Sequence, residues 1–91
     1  MEKSKKLYKD KCFVEERFLF SLLSAECESQ INKWGVQEHT IFEWLAYTTE
    51  ELGETSNAIS EYIYRGGNKT EIIKEAIQTA TLCLKIAEMM L

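Results

Sequence analysis

The chain contains no proline, four glycines and one histidine among 91 residues. Without proline nothing breaks a helix from within, and so few glycines leave few turns, so the elements should be few and long. A single histidine, His39, excludes metal centres built on several imidazoles and reads as a hydrogen-bonding residue just ahead of a helix. Cys12, Cys27 and Cys83 are odd in number, widely separated and free of CxxC spacing, which argues against a disulfide framework or a zinc site and for buried reduced thiols. No stretch approaches the ~20 apolar residues of a membrane span, and the polar start lacks the hydrophobic stretch of a signal peptide. The expected location is the cytoplasm, with no membrane partner. Eleven basic against fifteen acidic residues give a net charge of −4, which offers no general attraction to nucleic acid. The basic run Lys3, Lys5, Lys6, Lys9 and Lys11 has no aromatic platform beyond Tyr8 and reads as a solvated terminus.

What is present is helical periodicity. Residues 3 to 32 carry Leu7, Phe13, Val14, Phe18, Leu19, Leu22, Leu23 and Ile31 at spacings of three and four, the mark of one helix face. After a break at Trp34-Gly35-Val36-Gln37, Thr40 with Glu43 forms a capping box that starts a second helix running to about Tyr64. Arg65-Gly66-Gly67-Asn68 is a turn, and Asn68 with Glu71 caps a third helix that extends to Leu91. The fold class is therefore all-α: one domain over 1–91, a bundle of three main helices per chain. A chain this short buries only ~60–65% of its unfolded surface, and apolar residues cover about half the circumference of the third helix. Both point to completion of the bundle by oligomerisation, with another subunit as one of the third helix's two neighbours.

Placed at 100° intervals, Ile41, Leu45, Leu52, Ile59 and Ile63 form one apolar stripe on the second helix. Glu51 lies on its flank in line with Trp44 and Ala58, Glu54 one step further round, and Glu50 nearly opposite. Like charges three residues apart destabilise a helix by ~0.2–0.5 kcal/mol, a penalty a cation removes. Gly53 between them costs about 1 kcal/mol relative to alanine, as if something approached the backbone closely. On the third helix Glu75 falls within the apolar half, aligned with Leu82 and Ile86, where an unpaired carboxylate is expensive. Gln78 and Lys85 stack at its polar border.

Glu51, Glu54 and Glu75 supply hard oxygen ligands, the donors that Mg²⁺ or Mn²⁺ prefer, and such ions serve phosphoryl chemistry. The implied substrate is a polyphosphate. Lys85 with Lys33 or Arg65 would offset phosphate charge, Glu50 would orient the attacking water as general base, and Trp34, in a break between helices, is the aromatic best placed to stack a base.

Glu50-Glu51-Leu52-Gly53-Glu54 also stands as a complete EExxE run, preceded by Lys33-Trp34-Gly35-Val36-Gln37-Glu38-His39 and Trp44-Leu45. With Glu75 following, the stretch from Gln30 to Met90 resembles the MazG-like branch of the all-alpha nucleoside triphosphate pyrophosphohydrolases, which pair EExxE on one helix with ExxD on the next. The resemblance implies Mg²⁺-dependent cleavage of a nucleoside triphosphate to monophosphate and pyrophosphate, as nucleotide house-cleaning, by a helical homodimer or homotetramer. Where the family has Asp this chain has Gln78, which coordinates through a carbonyl and brings no charge. That departure keeps a second expectation in view: a non-catalytic helical dimer serving as a nucleotide-binding or protein-interaction module.

Overall fold

The computed structural model describes residue 13 and residues 15–91, and within them the chain forms three helices. Helix α1 spans Glu16–Trp34, α2 spans Ile41–Tyr64 and α3 spans Lys69–Met89. The periodicity reading placed the start of the first helix near residue 3. Phe13 and Glu15 already stand outside it, Glu15 takes φ −106° and ψ 44°, and no side chain caps the first turn. The basic run, Leu7, Cys12 and Val14 lie outside the described residues.

The other boundaries follow from local chemistry. Thr40 Oγ1 accepts from the Glu43 N–H at 3.2 Å while the Thr40 N–H donates to Glu43 Oε1 at 2.9 Å, so two otherwise orphaned donors are satisfied reciprocally at the start of α2. The bond from the Thr40 N–H, helped by the Thr40 side chain, holds the Glu43 carboxyl below its ordinary pKa. At the far end Gly66 takes φ 68°, a left-handed conformation open to glycine. A Cβ on Gly67 would come 2.9 Å from the backbone carbon of Glu61, so both glycines are needed to end the helix there. Asn68 Oδ1 then accepts from the Thr70 N–H at 2.8 Å and opens α3.

The short connection doubles α3 back on α2, and this hairpin is the main packing of the molecule. Trp44, Thr48, Glu51, Thr55 and Ala58 form one buried and half-buried line along α2, and Thr55 on it meets Thr79 of α3. The stripe Leu45, Leu52, Ile59 and Ile63 sits ~80° away from that line and remains 51%, 58%, 40% and 60% exposed. Of these two faces of α2, the described residues cover the one that turns toward α3. Helix α1 lies against α3 and is separated from α2 by a cavity. Among the described residues, α3 contacts both α1 and α2.

Only Trp44 and Leu82 are buried apolar residues among those described. At ~1.5–3 kcal/mol each, they are a slender foundation. The buried hydroxyls satisfy themselves, Thr48 donating to the Trp44 carbonyl at 2.7 Å and Thr81 to that of Ile77 at 2.8 Å. Cys27 is half-buried and Cys83 is exposed, so the expectation of buried thiols fails for Cys83, which lies on the uncovered side of α3. No helix among the described residues is long and apolar enough to cross a membrane.

Candidate functional site

Glu51 and Glu54 lie one turn apart on α2, and Glu75 reaches toward them from α3. One carboxylate oxygen of each falls within 4.8 Å of the others. The helices are fixed in register directly beside this cluster. Thr55, four residues after Glu51, donates to the Glu51 carbonyl at 3.0 Å, and Thr79, four after Glu75, donates to the Glu75 carbonyl at 2.9 Å. The two hydroxyls meet at 3.1 Å. A Glu followed by Thr at i+4 on both helices is therefore a matched pair: each hydroxyl lies against its own helix's carbonyl, and either one can donate to the other instead, linking the turns that carry the carboxylates.

Gln78 belongs to the same cluster. With its NH₂ facing the carboxylates, Nε2 donates to Glu75 Oε2 and Glu51 Oε2, at 3.0 Å each. Turned over, the amide presents Oε1 to the same point. One side chain thus serves two states, bridging the carboxylates by itself or adding an oxygen donor to a cation between them.

The electrostatics follow from the crowding. Partial burial, a hydrogen bond shared with Glu75 and the charges of Glu54, Glu75 and Glu50 push the Glu51 carboxyl up to about 7. Glu54 is raised chiefly by the charge of Glu75, with Lys74 opposing. This cluster holds more negative charge than it accommodates alone. The oxygens around an octahedral Mg²⁺ at ~2.1 Å lie roughly 3–4.2 Å apart, so carboxylates within 4.8 Å of one another would fit such an ion after side-chain movements of up to roughly 1–2 Å. The all-oxygen donor set suits Mg²⁺ or Mn²⁺ and not zinc.

Glu51 and Gln78 form one side of a cavity of about 430 Å³ between the three helices, within the ordinary size range of small-molecule sites. Glu54 and Glu75 open instead onto a neighbouring recess of about 380 Å³ whose further lining includes Asn57, Glu61 and Glu71. The cluster is the seam between the two. Across the larger cavity stand aromatic rings: His39 meets Trp44 edge-on at 4.9 Å and Tyr47 at 5.0 Å. His39 is held by Gln37 Oε1 at 3.1 Å from Nε2, and its Nδ1 lies 3.8 Å from Glu43 Oε2.

The expected residues divide clearly. Glu50, Lys33 and Trp34 line the 430 Å³ cavity, with the Lys33 ammonium 5.4 Å from the centre of the Trp34 ring. Lys85 lines an adjoining recess instead. Its ammonium donates to Gln30 Oε1 at 2.7 Å and sits 5.2 Å from the Trp44 ring centre, tying α1 to the hairpin. Arg65 pairs with Glu61 at 2.7 Å and is not brought to the cavity. Gly53 has open space where a Cβ would be, so no other described part of the chain approaches it.

Sequence reasoning missed Lys74, Tyr47 and Gln30, all of which line the cavity. Lys74 was findable, since it precedes Gln78 by four and shares its helix face. Tyr47 and Gln30 depend on how α1 crosses the hairpin, which no spacing states.

Comparisons with family models, with curated proteins and with solved structures give no match to this chain.

Proposed function

We propose that this protein is a Mg²⁺-dependent nucleoside triphosphate pyrophosphohydrolase of MazG-like type, working as a homo-oligomer in the cytoplasm. The observation that carries the proposal is the convergence of Glu51, Glu54 and Glu75 on one point beside a cavity whose opposite wall is aromatic and whose rim holds Lys33 and Lys74. Glu51, Glu54, Glu75 and the Gln78 carbonyl are the residues that would hold the ion. When bound, Mg²⁺ neutralises phosphate charge and makes water a better nucleophile.

The chain's own residues account for the rest. Lys33 and Lys74 offset charge on the phosphate chain, and Trp34, 61% exposed at the cavity edge, offers a ring to a base. Glu50 takes the proton of the attacking water. Water oxygen bonds to the α-phosphorus, the α–β anhydride bond breaks, and nucleoside monophosphate and pyrophosphate leave. The raised carboxyl of Glu51 fits the same reading, because a like-charge cluster beside a cavity is what a cation site looks like before the ion arrives.

A second reading rests on Gln78. It brings no negative charge, and with its NH₂ turned to the carboxylates it can bridge Glu51 and Glu75 by itself, which suits a non-catalytic helical dimer that binds nucleotides or partner proteins. One experiment separates the two: pyrophosphate release from a panel of ribo- and deoxyribonucleoside triphosphates with Mg²⁺ or Mn²⁺. The enzyme reading expects release that is lost in Glu75→Gln. Binding of triphosphates without release, in folded protein, would favour the module.

A further inference from the structure

The cavity of about 430 Å³ that carries Glu51 and Gln78 in its wall adjoins a recess of about 420 Å³, and Gln30, Trp34, Gln37 and Trp44 line both. What divides them is polar. Lys85, which lines the second recess alone, reaches from α3 across the Trp44 ring, its ammonium 5.2 Å from the ring centre, and donates to Gln30 Oε1 on α1 at 2.7 Å. Gln30 Nε2 donates in turn to Glu26 Oε2 at 3.0 Å. An ammonium offers only donors and a carboxylate only acceptors, so the Gln30 amide is pinned at both ends, where the Gln78 amide is free to turn over. Glu26, Gln30 and Lys85 are all half-buried, a setting in which charge-assisted bonds hold firmly. Beyond this bar the lining turns apolar, with Ile31, Val36 and Met89.

Its place along the bundle gives the bar a meaning. Trp44 precedes Glu51 by seven residues on α2, and Lys85 follows Gln78 by seven on α3, which runs the other way. The bar therefore stands two helical turns, about 10 Å, from the acidic cluster. A triphosphate anchored at the cluster extends its base toward the bar, at the end of the cavity where Trp34 stands.

We infer that the Gln30 amide, positioned by Lys85, is a stop that sets base specificity: it ends the cavity at the hydrogen-bonding edge of an unsubstituted base and excludes bases enlarged by an apolar group. After its bonds to Glu26 and Lys85 the amide keeps one N–H and one oxygen lone pair. A polar base edge satisfies them, whereas an apolar substituent leaves them unpaired and meets the bar itself. Lys85 acts through Gln30 and is a positioning residue. Without its ammonium the two recesses run together, and a substituent on the base reaches Ile31, Val36 and Met89. The inference rests on the reading of the larger cavity as a nucleotide site and adds which feature of the nucleotide that site selects.

The test uses nucleoside monophosphates, which have no anhydride to cleave, so that binding is read apart from hydrolysis. AMP and CMP, each beside its derivative benzylated on the exocyclic amine, are titrated by calorimetry with Mg²⁺ into the parent, Lys85→Ala and Lys85→Arg. The parent should bind the plain nucleotide at least about tenfold more tightly than the benzylated one. Lys85→Ala should erase or reverse that preference through a gain for the benzylated ligand, and Lys85→Arg, which still donates to Gln30, should keep it. A merely loosened fold weakens both ligands together and gives no gain for the larger. Should Lys85→Ala fail to fold, Gln30→Ala removes the stop from the α1 side and should show the same reversal. Equal binding of plain and benzylated nucleotides by the parent, or a preference unchanged in the alanine variants, would overturn the inference and leave the nucleotide reading standing. Binding of none of the four compounds by any of the proteins would overturn both.

Discussion

Replacing Glu51 with glutamine should stabilise the metal-free protein and remove its response to magnesium. The side chain keeps its size, and its amide can still donate to Glu75, but one negative charge leaves the cluster. In the parent the Glu51 carboxyl is raised from an ordinary 4.5 to about 7 by burial and by Glu75, Glu54 and Glu50. The unfolded chain gives up this proton near the ordinary value, so between the two values the folded protein binds more protons and its stability falls as pH rises. At ~1.4 kcal/mol per pKa unit the fall would be roughly 3 kcal/mol in a dry site. Solvent along one side of the cluster screens it, and about 1–2 kcal/mol is expected. For a chain of this size that raises the melting temperature of Glu51→Gln over the parent by roughly 5–10 °C at pH 8 without metal, and by little at pH 5, where the parent's Glu51 is already neutral. Adding Mg²⁺ at ten times its dissociation constant should then stabilise the parent by ~1.4 kcal/mol and leave the variant where it was. The assay is a set of melts at fixed protein concentration, two pH values, with and without Mg²⁺. A variant that melts below the parent at pH 8, or one that Mg²⁺ lifts as much as the parent, refutes the reasoning.

Gln78→Asp adds a fourth carboxylate and should tighten Mg²⁺ binding roughly tenfold while lowering metal-free stability by about 1 kcal/mol; a weaker Mg²⁺ response in melting experiments would put Gln78 out of the ion's reach. Lys85→Met removes the bond to Gln30 and the cation over Trp44 and should cost ~1–2 kcal/mol, read as a lower urea midpoint; an unchanged midpoint would show that this tie between α1 and the hairpin contributes nothing. Thr40→Ala breaks the capping box and should cost about 1 kcal/mol, again by urea, against no loss if α2 starts without it. Arg65, which does not line the cavity and pairs with Glu61, should leave triphosphate binding unchanged in calorimetry when replaced by alanine, and a fivefold loss would return Arg65 to the site.

The parts of this structure legible in the sequence are those decided locally. Thr40 with Glu43, Gly66 with Gly67, and Asn68 each fix a boundary through bonds to near neighbours, so composition and spacing suffice. The start of α1 has no such bond, and apolar periodicity alone overran it. The acidic cluster was legible because helical angle places Glu51 and Glu54 together and because Glu75 sits where an unpaired charge is costly. The face of α2 that meets α3 was not, since the most apolar stripe was the natural choice for the interior and the chain instead turns inward the line of Trp44, Thr48, Glu51 and Thr55. A sequence marks faces to be covered without saying whether its own helices or a second copy will cover them. Tyr47 and Gln30 escaped for a related reason, because a cavity wall depends on how helices cross.

The central claim is that Glu51, Glu54 and Glu75 hold a divalent cation, and titration of Mn²⁺ followed by electron paramagnetic resonance tests it most directly, since bound Mn²⁺ loses its free-ion signal. The account predicts one saturable ion per chain, displaced by Mg²⁺ and absent from Glu51→Gln and Glu75→Gln. An undiminished free-ion signal up to millimolar Mn²⁺, or binding that survives both substitutions, would contradict it.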